Sequence, residues 1–401
     1  MPNTMFCYLD HNATTPVHPL VLDAMLPFLT LHWGNPSSAY AFGRHVARHV
    51  ADAHEKSAAL IGADPDEIIF TSCGTESNNA AWRSALCQDP KKRHILSTAV
   101  EHSANVGHAK ALRRQGYEVT LLPVEPDGSL DLCLLNQSIR PETALVSVMW
   151  ANNETGVLFP IEEIAAMCRS HGVPFHTDAV QAAGKLPIHV GHLGVDFLSL
   201  SAHKLNAPKG IGLLYIRRGT RFHPYVIGGH QERERRGGTE NVANMVAFGR
   251  AAEWAMNHVE TETPRVRALR DDMERRILSE IPGSSRNGTR EPRLPNTASL
   301  AFRGVEAESA LMALDEVGIC ASSGSACTTG SIQPSHVLTA MGLDVDLAKG
   351  SLRFSLGPSN TKEEIDYLLS HLPGIIRRLR AMAPGSSEDT SGPRPTRPVS
   401  A

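Results

Sequence analysis

From Ile68 onward the chain alternates short apolar runs with longer stretches of helical periodicity. The runs are Ile68-Ile-Phe, His94-Ile-Leu-Ser, Val119-Thr-Leu-Leu, Ala144-Leu-Val-Ser-Val-Met, Val173-Pro-Phe-His and residues 195–200. Runs this short, recurring every roughly 20 to 30 residues with helical patterns between them, predict a mostly parallel sheet covered by helices on both faces. Ahead of this region, residues 6–16 read as a short strand and a turn, 21–29 as a short helix, 33–38 as a loop and 43–60 as an alanine-rich helix. Beyond Pro264 the pattern changes. A charged amphipathic helix over 266–280 leads into a polar loop over 283–295, alternating runs follow at 297–302 and 319–322, and a last helix spans 362–382. The expected architecture is therefore α/β. A large domain over 12–263 carries the sheet, and a smaller α+β domain is formed by 1–11 and 264–383. Residues 384–401, rich in Pro, Ser and Gly, are expected to be a disordered tail.

Composition narrows the function. The 401 residues are 41% hydrophobic and 20% charged, with a formal net charge of -3, which gives no basic footprint for nucleic acid and no polybasic membrane anchor. No apolar stretch reaches the ~18 residues of a membrane span, and the N-terminus lacks the pattern of a signal peptide. Seven cysteines, Cys7, Cys73, Cys87, Cys133, Cys168, Cys320 and Cys327, form no C-x-x-C pair. Their scatter points to free thiols in a reducing compartment, so a cytoplasmic protein without a resident metal is expected. Small-molecule chemistry is favoured.

Three stretches point to one such chemistry. Residues 195–216 read as two strands whose junction, Ser201-Ala-His-Lys204, presents a lysine against apolar strand ends. Such surroundings disfavour the ammonium form and suit imine formation. Phe70-Thr-Ser-Cys-Gly-Thr-Glu-Ser77 is a strand end, a glycine turn and a helix start, so the N–H groups after Gly74 and the Thr75 hydroxyl form a phosphate cradle. Phe175-His-Thr-Asp178 ends a buried strand in a carboxylate one βα unit before Lys204; by itself this aspartate serves equally well to cap the next helix. Lysine, carboxylate and phosphate cradle together are what pyridoxal 5′-phosphate needs. His102 follows the strand at 94–97, and Trp150-Ala-Asn-Asn153-Glu-Thr-Gly156 follows another, each readable as structural. Cys327 lies among small residues, Ser322-Ser-Gly-Ser-Ala-Cys327-Thr-Thr-Gly330, and an accessible thiol on such a tether can approach a substrate and leave carrying something.

Taken together these motifs resemble the cysteine desulfurases of the nitrogen-fixation and iron–sulfur-cluster type, within the class V aminotransferase family of pyridoxal-phosphate enzymes of fold type I. The resemblance runs to about residue 380. It rests further on Tyr8-Leu-Asp-His-Asn-Ala-Thr-Thr-Pro16, Gly228-Gly-His-Gln-Glu232, Arg236-Gly-Gly-Thr-Glu-Asn241, Ser325-Ala-Cys327 and Leu352-Arg-Phe-Ser-Leu-Gly357. Wording around Trp150, Gln231 and Pro334-Ser-His336 is similar to the nitrogen-fixation branch. The resemblance implies that Lys204 is the Schiff-base lysine, Asp178 the partner of the ring nitrogen and His102 the residue stacked on the ring. It implies Gln181 and Asn153 at the phenolic oxygen. Gly74, Thr75, Ser201 and His203 would hold the phosphate, joined by Thr239 from the second subunit of a homodimer. Arg353, with Asn153, would bind the substrate carboxylate, and Cys327 would take the sulfur as a persulfide for an iron–sulfur scaffold protein, with transient ligation of a cluster by Cys327 conceivable. Two departures are Ser103, where the family often has proline, and Pro358, where it has a second arginine. The expected reaction is conversion of L-cysteine to L-alanine. An aminotransferase or β-eliminating lyase with the same cofactor would not need Cys327, and a non-catalytic binding module would carry no chromophore.

Overall fold

The computed structural model describes residues 5–323 and 334–382. Cys327 and the tail 384–401 lie outside the described residues. The strands are β1 (Cys7–Tyr8), β2 (Ile68–Thr71), β3 (His94–Thr98), β4 (Glu118–Leu122), β5 (Thr143–Ser147), β6 (Phe175–Asp178), β7 (Phe197–Ser201), β8 (Gly212–Ile216), β9 (Ser284–Arg286), β10 (Thr297–Phe302), β11 (Ile319–Cys320), β12 (Ser322–Ser323) and β13 (Ser351–Ser355). The helices are α1 (Pro19–Thr30), α2 (Ala41–Ala59), α3 (Gly74–Gln88), α4 (Ser103–Arg114), α5 (Leu132–Ser138), α6 (Ile161–Ser170), α7 (Val190–Leu193), α8 (Val242–Glu280), α9 (Ala307–Asp315), α10 (His336–Ala340), α11 (Val345–Lys349) and α12 (Lys362–Met382).

A seven-stranded sheet has the order β2-β8-β7-β6-β5-β3-β4. All its pairings are parallel except those of β8, which runs antiparallel to both β2 and β7. The chain reaches β8 from β7 through one short turn, Ala202–Lys204 and the glycine-containing loop after it, with no crossover helix, and a short return of this kind can only give antiparallel strands. Every residue of β2, β3, β5, β6, β7 and β8 is buried. That is why these strands read as continuous apolar runs without alternation. From β3 the chain steps outward to β4 and then returns to place β5 on the other side of β3, so the carboxyl ends of β3 and β5 flank a topological switch point.

The second sheet, β12-β13-β10-β9, is antiparallel, and β1 pairs parallel with β11 beside it. Two strands here differ from the sequence expectation: β9 lies inside the expected polar loop, and β13 coincides with the Leu352-Arg-Phe motif, which had been read for its arginine alone.

The helix expected over 266–280 is the second half of α8, a continuous helix of 39 residues that runs through Pro264. Proline removes one backbone donor and was read as a boundary. The two halves of α8 are instead anchored in different apolar cores. Ala243, Phe248, Ala252 and Ala255 pack with the large sheet, whereas Val266, Met273 and Ile277 pack with β10, β13 and α12. Thr263 also bonds the Lys185 carbonyl at 3.0 Å, and Arg265 that of Asn360 at 2.9 Å. Val337, Leu338, Met341 and Ala348, on and beside α10 and α11, pack with the large-sheet core, not with the second one.

Candidate active site

The carboxyl ends of the central strands open into a cavity of about 290 Å³ whose lining includes Gly74, Thr75, His102, Asn153, Asp178, Gln181, Ser201, His203, Lys204 and Arg353. These are all of the expected cofactor and substrate residues except Thr239 and Cys327. Their convergence follows from topology. His102 comes just after β3, Asn153 after β5, Asp178 ends β6 and Ser201 ends β7, all at the same sheet edge.

Lys204 closes the short turn after β7, and its amine donates to the Asn12 carbonyl and, at 2.6 Å, to the Ala13 carbonyl. The expected apolar setting is thus incomplete, because two main-chain acceptors hold the amine in place. Asp178 is buried and doubly oriented, with the Asn78 amide donating to Oδ2 at 2.6 Å and the Val180 N–H donating to Oδ1 at 3.0 Å. Two donors leave acceptor capacity on a carboxylate. Gln181 donates from Nε2 to the Asn12 carbonyl at 2.9 Å while Lys185 donates to its Oε1 at 3.2 Å, which fixes the amide's orientation.

The N-terminus of α3 meets the same cavity. Cys73 is its N-cap and offers no side-chain bond, so the first-turn N–H groups are left to an outside acceptor. A Cβ at Gly74 would stand 3.0 Å from Val180 Cγ2 and 3.4 Å from Ser201 Cβ. Glycine therefore lets the helix end approach β7. An anion seated here meets the helix dipole, the Thr75 and Ser201 hydroxyls and His203. Burial, followed by the charge of Lys204, pushes His203 down to about 4, so it is a neutral ring. His102 caps α4, its Nδ1 accepting from the Ala104 N–H at 3.2 Å, and burial lowers its pKa against the opposing pull of Asp178. The accepting Nδ1 leaves the ring neutral with its proton on Nε2.

Arg353, on β13, is buried and faces the cavity from the second sheet. One nitrogen pairs with Asp10 Oδ1 at 2.7 Å, another donates to the Asn153 carbonyl at 3.0 Å, and Nε has no partner among the described residues. A guanidinium with a spare donor suits a substrate carboxylate. The chain resumes after the undescribed segment at Pro334, and the next two residues are tied to the site: the Ser335 hydroxyl donates to buried Glu154, and His336 Nε2 lies 2.9 Å from the Glu101 carbonyl. Glu154 and Glu101 are the sequence neighbours of Asn153 and His102.

Thr239 is exposed and lines a different hollow, beside Glu232 and Arg236, away from its own chain's cavity. Cys320 is half-buried; burial and then Asp315 raise its pKa. Sequence reasoning missed Asp10, Asn12 and Asn78. Asn12 is the hub: it accepts from Lys204 and Gln181 through its carbonyl and donates from Nδ2 to Thr297 Oγ1 at 2.9 Å. The available signal was the position of Asp10 and Asn12 inside the Tyr8–Pro16 motif, which had been assigned no role.

The helix-end anion cradle, the oriented carboxylate and the lysine fit pyridoxal phosphate in donor type and placement. The model of the class-V aminotransferases matches residues 7–368. Cysteine desulfurase 2 of Trichormus variabilis is 53% identical over 381 residues, 95% of this chain and 96% of that protein. Cysteine desulfurase NifS of Azotobacter vinelandii is 50% identical over 378 residues, 94% of each. A solved structure described as a NifS-like protein superposes with a TM-score of 0.88 at 36% identity, covering 93% of this chain and 100% of that one. The chain belongs to the class-V aminotransferase family, among its pyridoxal-phosphate-dependent cysteine desulfurases.

Proposed function

We propose that the protein converts L-cysteine to L-alanine and passes the sulfur, through Cys327, toward iron–sulfur cluster assembly. The observation that carries the reading is the single cavity in which Lys204, Asp178, the α3 N-terminus and Arg353 converge. Pyridoxal phosphate, when bound, withdraws electrons from the substrate Cα. Asp178 would hold the ring nitrogen's proton, and Gly74, Thr75, Ser201 and His203 would hold the phosphate. His102, Gln181 and Asn153 would hold the ring and its phenolic oxygen. Arg353 binds the substrate carboxylate through the donors that Asp10 leaves unused. Lys204 takes the Cα proton and returns it. The Cys327 thiolate attacks the substrate sulfur, forming the S–S bond of a persulfide as the C–S bond breaks, and the electron pair stays with the carbon skeleton that becomes alanine. Cys73, at the foot of the anion cradle on a helix start, has no tether on which to carry sulfur away.

We further propose the homodimer, with Thr239 completing the partner's phosphate site. Its position on the surface, outside its own cavity, supports this. So do exposed apolar side chains that a second copy could cover: Leu29 is 59% exposed, Leu31 67%, Trp33 72% and Ile227 87%. The division into 12–263 and 1–11 with 264–383 remains our proposal, with α8 shared between the two. No described helix is long and apolar enough to cross a membrane, and we place the enzyme in the cytoplasm, with an iron–sulfur scaffold protein as sulfur acceptor. Incubation with L-cysteine and a reductant should release alanine and sulfide in equal amounts without consuming a keto acid. Alanine that appears only when a keto acid is supplied would make the protein an aminotransferase instead.

A further inference from the structure

Lys204 lines two cavities. One is the cofactor pocket; the other, of about 50 Å³, is lined also by His11, Thr15, Lys185, Glu262 and Asn296. It shares no other lining residue with the cofactor pocket. Space of this size admits a few water molecules where polar partners exist. His11 supplies them. Its side chain is 2% exposed, and neither ring nitrogen has a partner among the described residues. Leaving a buried donor and acceptor unbonded is costly, so partners are expected for both. The ring is held by packing: it meets Tyr8 edge-on at 5.1 Å, and a Cβ at Gly357 would stand 2.3 Å from it. Burial, with Lys185 adding to it, pushes His11 down to about 4, so the ring is neutral and offers one donor and one acceptor.

We propose that this second cavity is a water site that exchanges protons with the Lys204 amine, with His11 as the positioning residue that holds the water. Each exchange moves one N–H proton to water and one O–H proton back, so nothing is oxidised, reduced or consumed. The amine thereby exchanges the proton taken from the substrate Cα before returning one, without admitting bulk water to the cofactor pocket. The inference rests on the assignment of Lys204 as the residue that moves that proton.

The test is turnover of L-cysteine in D2O, with the protium left at Cα of the alanine product read by mass spectrometry. The native enzyme should give almost fully deuterated Cα. His11→Phe, which keeps a flat ring and removes both nitrogens, should retain Cα protium at least several-fold more, with the cofactor's visible absorption band and KM unchanged. His11→Asn, which keeps a donor and an acceptor, should behave as native. Native deuterium content in His11→Phe, or a native enzyme that already keeps its protium, overturns the proposal. If His11→Phe does not fold, His11→Leu gives the same comparison. A high-resolution structure of the cofactor-free protein should place an ordered water within hydrogen-bonding distance of His11, and a dry cavity there also overturns it. A Lys204→Ala enzyme that still makes alanine at the native rate would instead refute the underlying assignment of Lys204, leaving the water at His11 as an independent finding.

Discussion

Asp178 and Glu154 are both buried carboxyls near the site, and they have different hydrogen-bond partners. Asp178 receives two donors that fix its geometry, and its proposed role is to hold the proton on the cofactor's ring nitrogen. Asp178→Asn should therefore bind the cofactor and fold normally, yet lose kcat by about 100- to 1,000-fold, the usual loss for one preorganised charge. Near-native kcat in that variant rules out the ring-nitrogen role. Glu154 accepts from the Ser335 hydroxyl, and burial pushes it up to about 7, with Ser335 and Arg353 pulling the other way. Because its proton is held more tightly in the folded chain than in the unfolded one, folding is favoured at low pH and loses stability as pH rises from about 4.5 to about 7. Glu154→Gln lacks this dependence. Its stability relative to the native chain should rise across that window by roughly 3 kcal/mol and stay level above it. Urea unfolding at pH 5 and pH 8 measures this, and a difference that does not change between them contradicts it. At this scale, residues lying at strand ends were legible, since Lys204, Asp178 and the Gly74 turn each follow an apolar run. Asp10, Asn12 and Asn78 were not, because each acquires its role from a partner far away in sequence, such as Arg353 for Asp10 or Asp178 for Asn78.

The elements that position the site depend on close helix packing as much as on the sheet. Helices α2 and α8 cross where Gly249 faces Ala53, and a Cβ there would stand 2.9 Å from the Ala53 Cα. Gly249→Val should cost about 1–3 kcal/mol through overpacking, read as a lowered Tm with the cofactor band unchanged in the folded protein. An unchanged Tm would mean that the crossing is looser than this geometry implies. The strands of the large sheet were legible from their apolar runs, and α12 was legible to its ends. The first half of α8 was not. Pro264 looks like a stop from local sequence, and only the two separate cores that grip the helix on either side explain its continuity. Strand β9 was hidden because Ser284, Ser285 and Arg286 carry no apolar signal; antiparallel pairing to β10 makes it a strand.

Two proposals concern the whole molecule: that sites are completed across a dimer, and that sulfur leaves on Cys327. The first predicts that mixed dimers of Lys204→Ala and Thr239→Ala chains concentrate both defects in one site and leave the other intact. Such mixtures should regain activity that neither parent has, and finding none would count against a shared phosphate site. Leu31, Trp33 and Ile227 were visible in sequence only as scattered apolar residues; their exposure appears only in the fold. The most direct test of the central claim is to trap the enzyme during turnover of L-cysteine with an alkylating reagent and map the persulfide by mass spectrometry. The account predicts the label on Cys327, with Cys327→Ala still binding cofactor and L-cysteine but making little or no alanine. A persulfide on Cys73 or Cys320, with Cys327 unmodified, would contradict it.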